Sequence, residues 1–163
     1  MLRALAVAGG VAGAAALSQF PEFSQQYLQR LAGQVDAMAL LVAEFDATAA
    51  ANGLTRDAAL AELRGTPFLI DRRTDLERAF ARHDRLAANL AALRAASPLE
   101  RMAMPHRLAD PETLRATWAD FRPAVPVTAD GGISALVGYF AGWLGASAVL
   151  GLLSAPFRRR RTA

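Results

Sequence analysis

The sequence predicts an all-α membrane protein: two transmembrane helices flanking an extracytoplasmic antiparallel helical hairpin with short extra helices. Three observations carry this reading. Gly131 to Phe157 is a run of 27 residues without a charged side chain. Ala4 to Phe20 is a second uncharged run, of 17 residues. Between the two runs apolar residues recur at helical spacing, and no strand-like alternation of useful length occurs.

At the amino end, MLRALAVAGGVAGAAALSQF assigns residues 1–20 to the first transmembrane helix. About 20 apolar helical residues cross a ~30 Å hydrocarbon core, so this segment is at the lower limit. It also reads as a signal peptide, with Arg3 as the n-region and Ala14-Ala15-Ala16 as a cleavage site. The retained span is the expectation, and either reading sends the middle of the chain across the membrane.

Residues 21–127 form the polar helical region. Pro21 is expected to end the first helix, and a long second helix should run over about 24–52 with Gly53 as its stop. Leu28, Leu31, Val35, Met38, Val42 and Phe45 follow a heptad seam along it. Thr55 should cap a short helix that Gly65 ends. Thr66-Pro67 opens another long one over 67–96, where Leu76, Ala79, His83, Leu86, Leu90 and Leu93 repeat the seam. Two seams joined by about 20 residues predict a packed antiparallel hairpin, with Leu31, Val42, Leu86 and Leu90 buried. Ser97-Pro98 and Asp110-Pro111 open two further short helices. FRPAVPVTADGG is an extended linker into the second transmembrane helix, residues 128–155, and 156–163 is an arginine-rich tail.

The charge map sets orientation and excludes nucleic acid. Arg3 and Arg158, Arg159, Arg160 and Arg161 lie at the extreme ends, while the body carries 13 arginines against 15 acids, a net of −2. A nucleic-acid-binding domain would carry its arginines on that body. The positive-inside bias places both termini in the cytoplasm of a bacterium and the central helices in the periplasm. The terminal arginines are also expected to meet anionic lipid headgroups.

Catalytic signatures are missing from the sequence, which holds no cysteine, no lysine and only His83 and His106 as imidazoles. Neither histidine has a second imidazole at metal-ligand spacing. The expectation is therefore no catalytic, cofactor or metal residue. Asp84 is expected to point away from its neighbour His83 on the helix, and Arg78 and Arg82 to bridge Asp71 and Asp75 on a solvated face. Two other constellations are more distinctive. Gly9 and Gly13 in the first span, and Ser134, Gly138, Gly142 and Gly145 in the second, form small-residue stripes that let helix backbones approach closely in lipid. Phe20, Pro21, Phe23 and Tyr27 follow the first span, while Trp118, Phe121, Arg122 and Pro123 precede the second. These residues suit either an interfacial aromatic belt or a protein-docking collar.

The stretches LSQFPEFSQQYLQRLAGQVDA, TWADFRPAVPVTADG and APFRRR together resemble an uncharacterised family of short two-span bacterial inner-membrane proteins, catalogued as a domain of unknown function. The resemblance runs nearly end to end. It implies two spans around an extracytoplasmic helical region and carries no known activity. The function expected is a non-enzymatic accessory or assembly subunit that packs its glycine faces against another inner-membrane protein or complex, or against itself. A membrane-tethered periplasmic binding or adaptor module is the alternative, and a membrane-bound enzyme the remote one.

Overall fold

The computed structural model describes residues 2–125 and 127–158, with side chains up to 153. Every regular element among the described residues is helical: α1 (Leu2–Ser18), α2 (Phe20–Ala51), α3 (Arg56–Glu62), α4 (Pro67–Ala95), α5 (Pro98–Met102), a 3₁₀ turn (Pro105–Leu108), α6 (Pro111–Asp120) and α7 (Ala129–Arg158). Two helical stretches are long and apolar enough to cross a membrane: α1 running into α2, and α7 from Ala129 to Leu153.

The first junction differs from expectation. The helix breaks at Gln19, and Pro21 lies inside the first turn of α2, which begins at Phe20 rather than near residue 24. Proline has no N–H to give to residue 17, so the ladder lapses before it and restarts on it. Gln19 keeps helical dihedrals, φ −82° and ψ −12°, and its carbonyl accepts the Phe23 N–H at 2.9 Å. The interruption is one residue long.

The far end of α2 closes as the sequence predicts. Gly53 has φ +72°, a left-handed conformation that a side chain disfavours. The N–H groups of Gly53 and Leu54 donate to Ala50 and Ala49 carbonyls at 2.9 Å each, which satisfies two orphan acceptors of the last turn. Thr55, Thr66, Ser97 and Asp110 each accept a backbone N–H three residues on, and Ser97 with Glu100 completes a capping box.

The main core lies between α2 and α4. Tyr27, Leu28, Leu31 and Val35 interlock with Leu86, Leu90 and Leu93, and Leu108 closes the cluster. Farther out the seam departs from the heptad. Val42 is only partly buried, and the buried residue on α4 is Phe80, not its seam neighbour Ala79. The Phe80 ring meets Phe45 edge to face at 5.2 Å and lies under the Arg56 guanidinium at 5.1 Å, with Arg56 in turn paired to Asp46. The Phe80 ring, rather than the Ala79 methyl, therefore makes the α2–α4 contact at this end.

Candidate functional site

Three places bring chemistry-bearing residues together, and the first is the contact between α1 and α7. Alternating small residues let the two backbones meet without intervening side chains. A Cβ added at Gly13 would strike the Gly138 carbonyl. One at Gly138 would strike the Gly13 carbonyl, and one at Gly142 that of Gly9, each closer than 3.0 Å. Gly9 faces Ala146, and Gly10 lies against the Tyr139 ring. The stripe expected on the second span therefore divides. Gly138 and Gly142 pair with Gly9 and Gly13, whereas Gly145 has nothing within 4 Å. Ser134 is fully buried but turns to Met102, its Oγ 3.7 Å from the sulfur. The four-residue spacing does not pick out Gly10 and Ala146, although the Gly9-Gly10 pair presents two adjacent faces.

The second place is the corner where α1 meets α2. Here the fold joins residues that lie almost a hundred positions apart. The Phe23 ring packs edge to face on Trp118 at 5.9 Å and on Phe121 at 5.5 Å, and Trp118 and Phe121 stack at 6.3 Å. Polar ties hold the linker to α2: Gln26 Nε2 donates to the Arg122 carbonyl at 3.2 Å, and the Ala124 N–H donates to Gln19 Oε1 at 3.1 Å. Arg30 pairs with Asp120 at 2.5 Å. Leu17, Phe20, Phe23, Trp118 and Phe121, with Ala16 and Gln19, line an almost wholly apolar recess of about 390 Å³. Thr117 and Arg122, sequence neighbours of two of those rings, line a polar cleft with Gln26, Gln29, Arg30 and Asp120.

Tyr27 corrects the sequence reading, because it is fully buried and has no surface to offer a docking collar. It lies four residues before Leu31, on the same helical face, which is the signal that could have placed it in the core. Pro21 accepts the Ser24 hydroxyl at its carbonyl, and Pro123 is exposed. Arg3 is exposed; Arg159, Arg160 and Arg161 and the Arg158 side chain lie outside the described residues.

The third place is a polar knot binding α6 to α2 and α4, which the sequence reading missed. Asp110, with its side chain only 7% exposed, caps α6. Its Oδ1 accepts from the Thr113 N–H at 3.1 Å, the Thr113 hydroxyl at 2.8 Å and Arg82 at 3.3 Å. Its own N–H donates to the Tyr27 hydroxyl oxygen at 3.3 Å. Arg82 also pairs with Glu112 at 2.6 Å, so it leaves the helix surface on which it was expected to bridge acids. Arg78 does pair there, with Asp75 at 2.5 Å. His83 Nδ1 is 3.0 Å from Asp84 Oδ1, against the expected divergence. Arg101, buried with no ion-pair partner among the described residues, donates from Nε to the Leu93 carbonyl at 2.9 Å and so caps the end of α4.

Burial pushes the Asp110 carboxyl up, but the Thr113 hydrogen bonds and the Arg82 charge outweigh it and hold the group below its usual value. A carboxyl lowered in the folded chain stabilises fully above its unfolded value, near ~3.9, and the gain is lost as pH falls through the folded value. Asp110→Asn keeps a capping side chain and loses the charge. It should destabilise the protein by about 1–2 kcal/mol near neutral pH. Melting curves recorded down the pH scale should show that gap closing below about pH 4; a constant gap would mean that the charge contributes nothing.

The family described as "Protein of unknown function (DUF2937)" matches residues 1–159. No curated protein and no solved structure matches the chain.

Proposed function

We propose, for a chain that belongs to the DUF2937 family of proteins of unknown function, a non-enzymatic adaptor of the bacterial inner membrane: two packed spans hold an antiparallel helical hairpin in the periplasm, and the far end of that hairpin meets a protein partner. The observation that carries this reading is the unpaired apolar tip. Phe68 is 74% exposed and Ile70 54%, both in the first turn of α4 beside the α3 connection. Large side chains exposed together at the end of a long element are more often binding surface than accident.

Two features support the rest. Arg3 and the terminal arginine run flank the spans on their outer-sequence sides, which favours cytoplasmic termini. Gly138 and Gly142 meet the chain's own Gly9 and Gly13. That contact uses the face through which an accessory subunit was expected to grip another membrane protein, so the tethered module becomes the better reading.

A photo-crosslinking residue at Phe68 should capture a periplasmic protein in cells, and one at Leu136, on the outward face of α7, should not. Capture from Leu136 alone would restore the accessory-subunit reading. Phosphatase fused at Gly53 should be active and fused after Ala163 inactive; the opposite pattern removes the periplasmic assignment.

A further inference from the structure

We propose that the apolar recess at the α1–α2 corner holds one acyl chain of an anionic phospholipid from the surrounding bilayer, with the lipid phosphate against the Arg122 guanidinium. The proposal rests on the membrane reading above. Three observations carry it.

The recess is built from both sides of the Gln19 break. Leu17 belongs to the apolar helix α1, and Phe20 and Phe23 to the first turn of α2. It therefore lies at the level where a span ends and headgroups begin, and an acyl chain reaches it without leaving the bilayer. Its volume, about 390 Å³, is in the range of sites that hold small ligands. Its lining is also the wrong chemistry for water. A water molecule needs two to four polar partners to be held in place, and five of the lining residues are leucine or aromatic. Trp118, stacked on Phe121, still leaves 71% of its surface open. An apolar occupant would cover that surface.

Charge selects the head. The cleft beside the recess contains two guanidiniums and one carboxylate. Asp120 is taken by Arg30 at 2.5 Å, while the exposed Arg122 side chain has no ion-pair partner among the described residues. A phosphodiester accepts two parallel N–H bonds from a guanidinium, and the Gln29 amide lines the same cleft. The rival occupant, an apolar side chain of another protein, would leave this charge unanswered.

Brominated acyl chains quench tryptophan on contact, and the chain has two tryptophans, Trp118 and Trp143. Full-length Trp143→Phe protein, with Trp118 as its only reporter, is reconstituted in phosphatidylcholine vesicles containing a minor fraction of brominated lipid. Brominated phosphatidylglycerol should quench Trp118 about threefold more than the same fraction of brominated phosphatidylcholine, the enrichment that one charge-assisted contact provides. Arg122→Ala should abolish the difference. In the converse Trp118→Phe protein, Trp143 should be quenched equally by both lipids. Equal quenching of Trp118 by the two lipids, or a preference that survives Arg122→Ala, would overturn the site and leave the rings as an ordinary interfacial belt. Trp118 unquenched while Trp143 is quenched would mean that something other than lipid fills the recess. Trp143 unquenched by either lipid would instead remove the membrane reading itself, and the proposal with it.

Discussion

Isoleucine at Gly138 and Gly142 together should separate α1 from α7, at a cost above about 3 kcal/mol. The reason is what each new side chain meets. Every Cβ would fall on a backbone carbonyl of α1, that of Gly13 or Gly9, which cannot swing aside as a side-chain tip can. With α1 and α7 in a bilayer, as proposed, no hydrophobic gain compensates, because lipid tails are as apolar as the partner helix. Close backbone approach, with the dispersion contacts it allows, is what holds such a pair together. Gly145→Ile is the internal control. It lies three residues from Gly142 and has nothing within 4 Å, so a branched side chain there should leave the melting temperature in mild detergent nearly unchanged. Leu136→Ile, on an exposed face, should behave likewise. Should Gly145→Ile prove as damaging as the double substitution, the glycines act through helix propensity and the packed interface is not what matters.

The second large effect belongs to the core between α2 and α4. Leu31→Ala and Leu86→Ala should each cost ~2–5 kcal/mol, since both side chains are essentially without solvent contact and sit in one cluster. Val42→Ala should cost less, because that end of the seam is only partly closed. Ala88→Ser, on the exposed side of α4, is the appropriate reference; Ala87 packs against the core and is not. Chemical denaturation of the full-length protein in detergent measures all four. Equal losses at Leu86 and Val42 would mean that the core extends farther towards the tip than the packing of Phe80 on Phe45 indicates.

These two regions differ in how much of them was legible before the structure. Capping is local: Thr55, Thr66-Pro67, Ser97-Pro98 and Asp110-Pro111 each need only the next three residues, and each begins a helix where the sequence places it. The seam leucines were legible for a related reason, since period alone assigns them to one face. What escaped depended on distance between elements. Whether Ala79 or Phe80 fills the far end of the seam depends on the contact with Phe45 across the interface, which no spacing encodes. Arg82 looked like one more charge on a solvated helix until α6 brought Asp110 and Glu112 against it. Sequence neighbours, other aromatics near a span, place Tyr27 at the corner, whereas its helical phase with Leu31 places it in the core. The aromatic corner was legible as two halves, one after each apolar run, and their meeting was not.

The single-residue interruption at Gln19 gives the protein a mechanical property. Because the Gln19 backbone stays near helical geometry, α1 and α2 would, with α1 in a bilayer as proposed above, act as a lever with its fulcrum near Gln19. The outer arm, 32 residues long, measures about 48 Å. Spans retilt when bilayer thickness changes. A retilt of about 5° at the fulcrum would sweep the far end of the arm through roughly 4 Å, a displacement comparable to most of a helical turn. Bilayer thickness would thus be converted into the height and angle at which the tip is held.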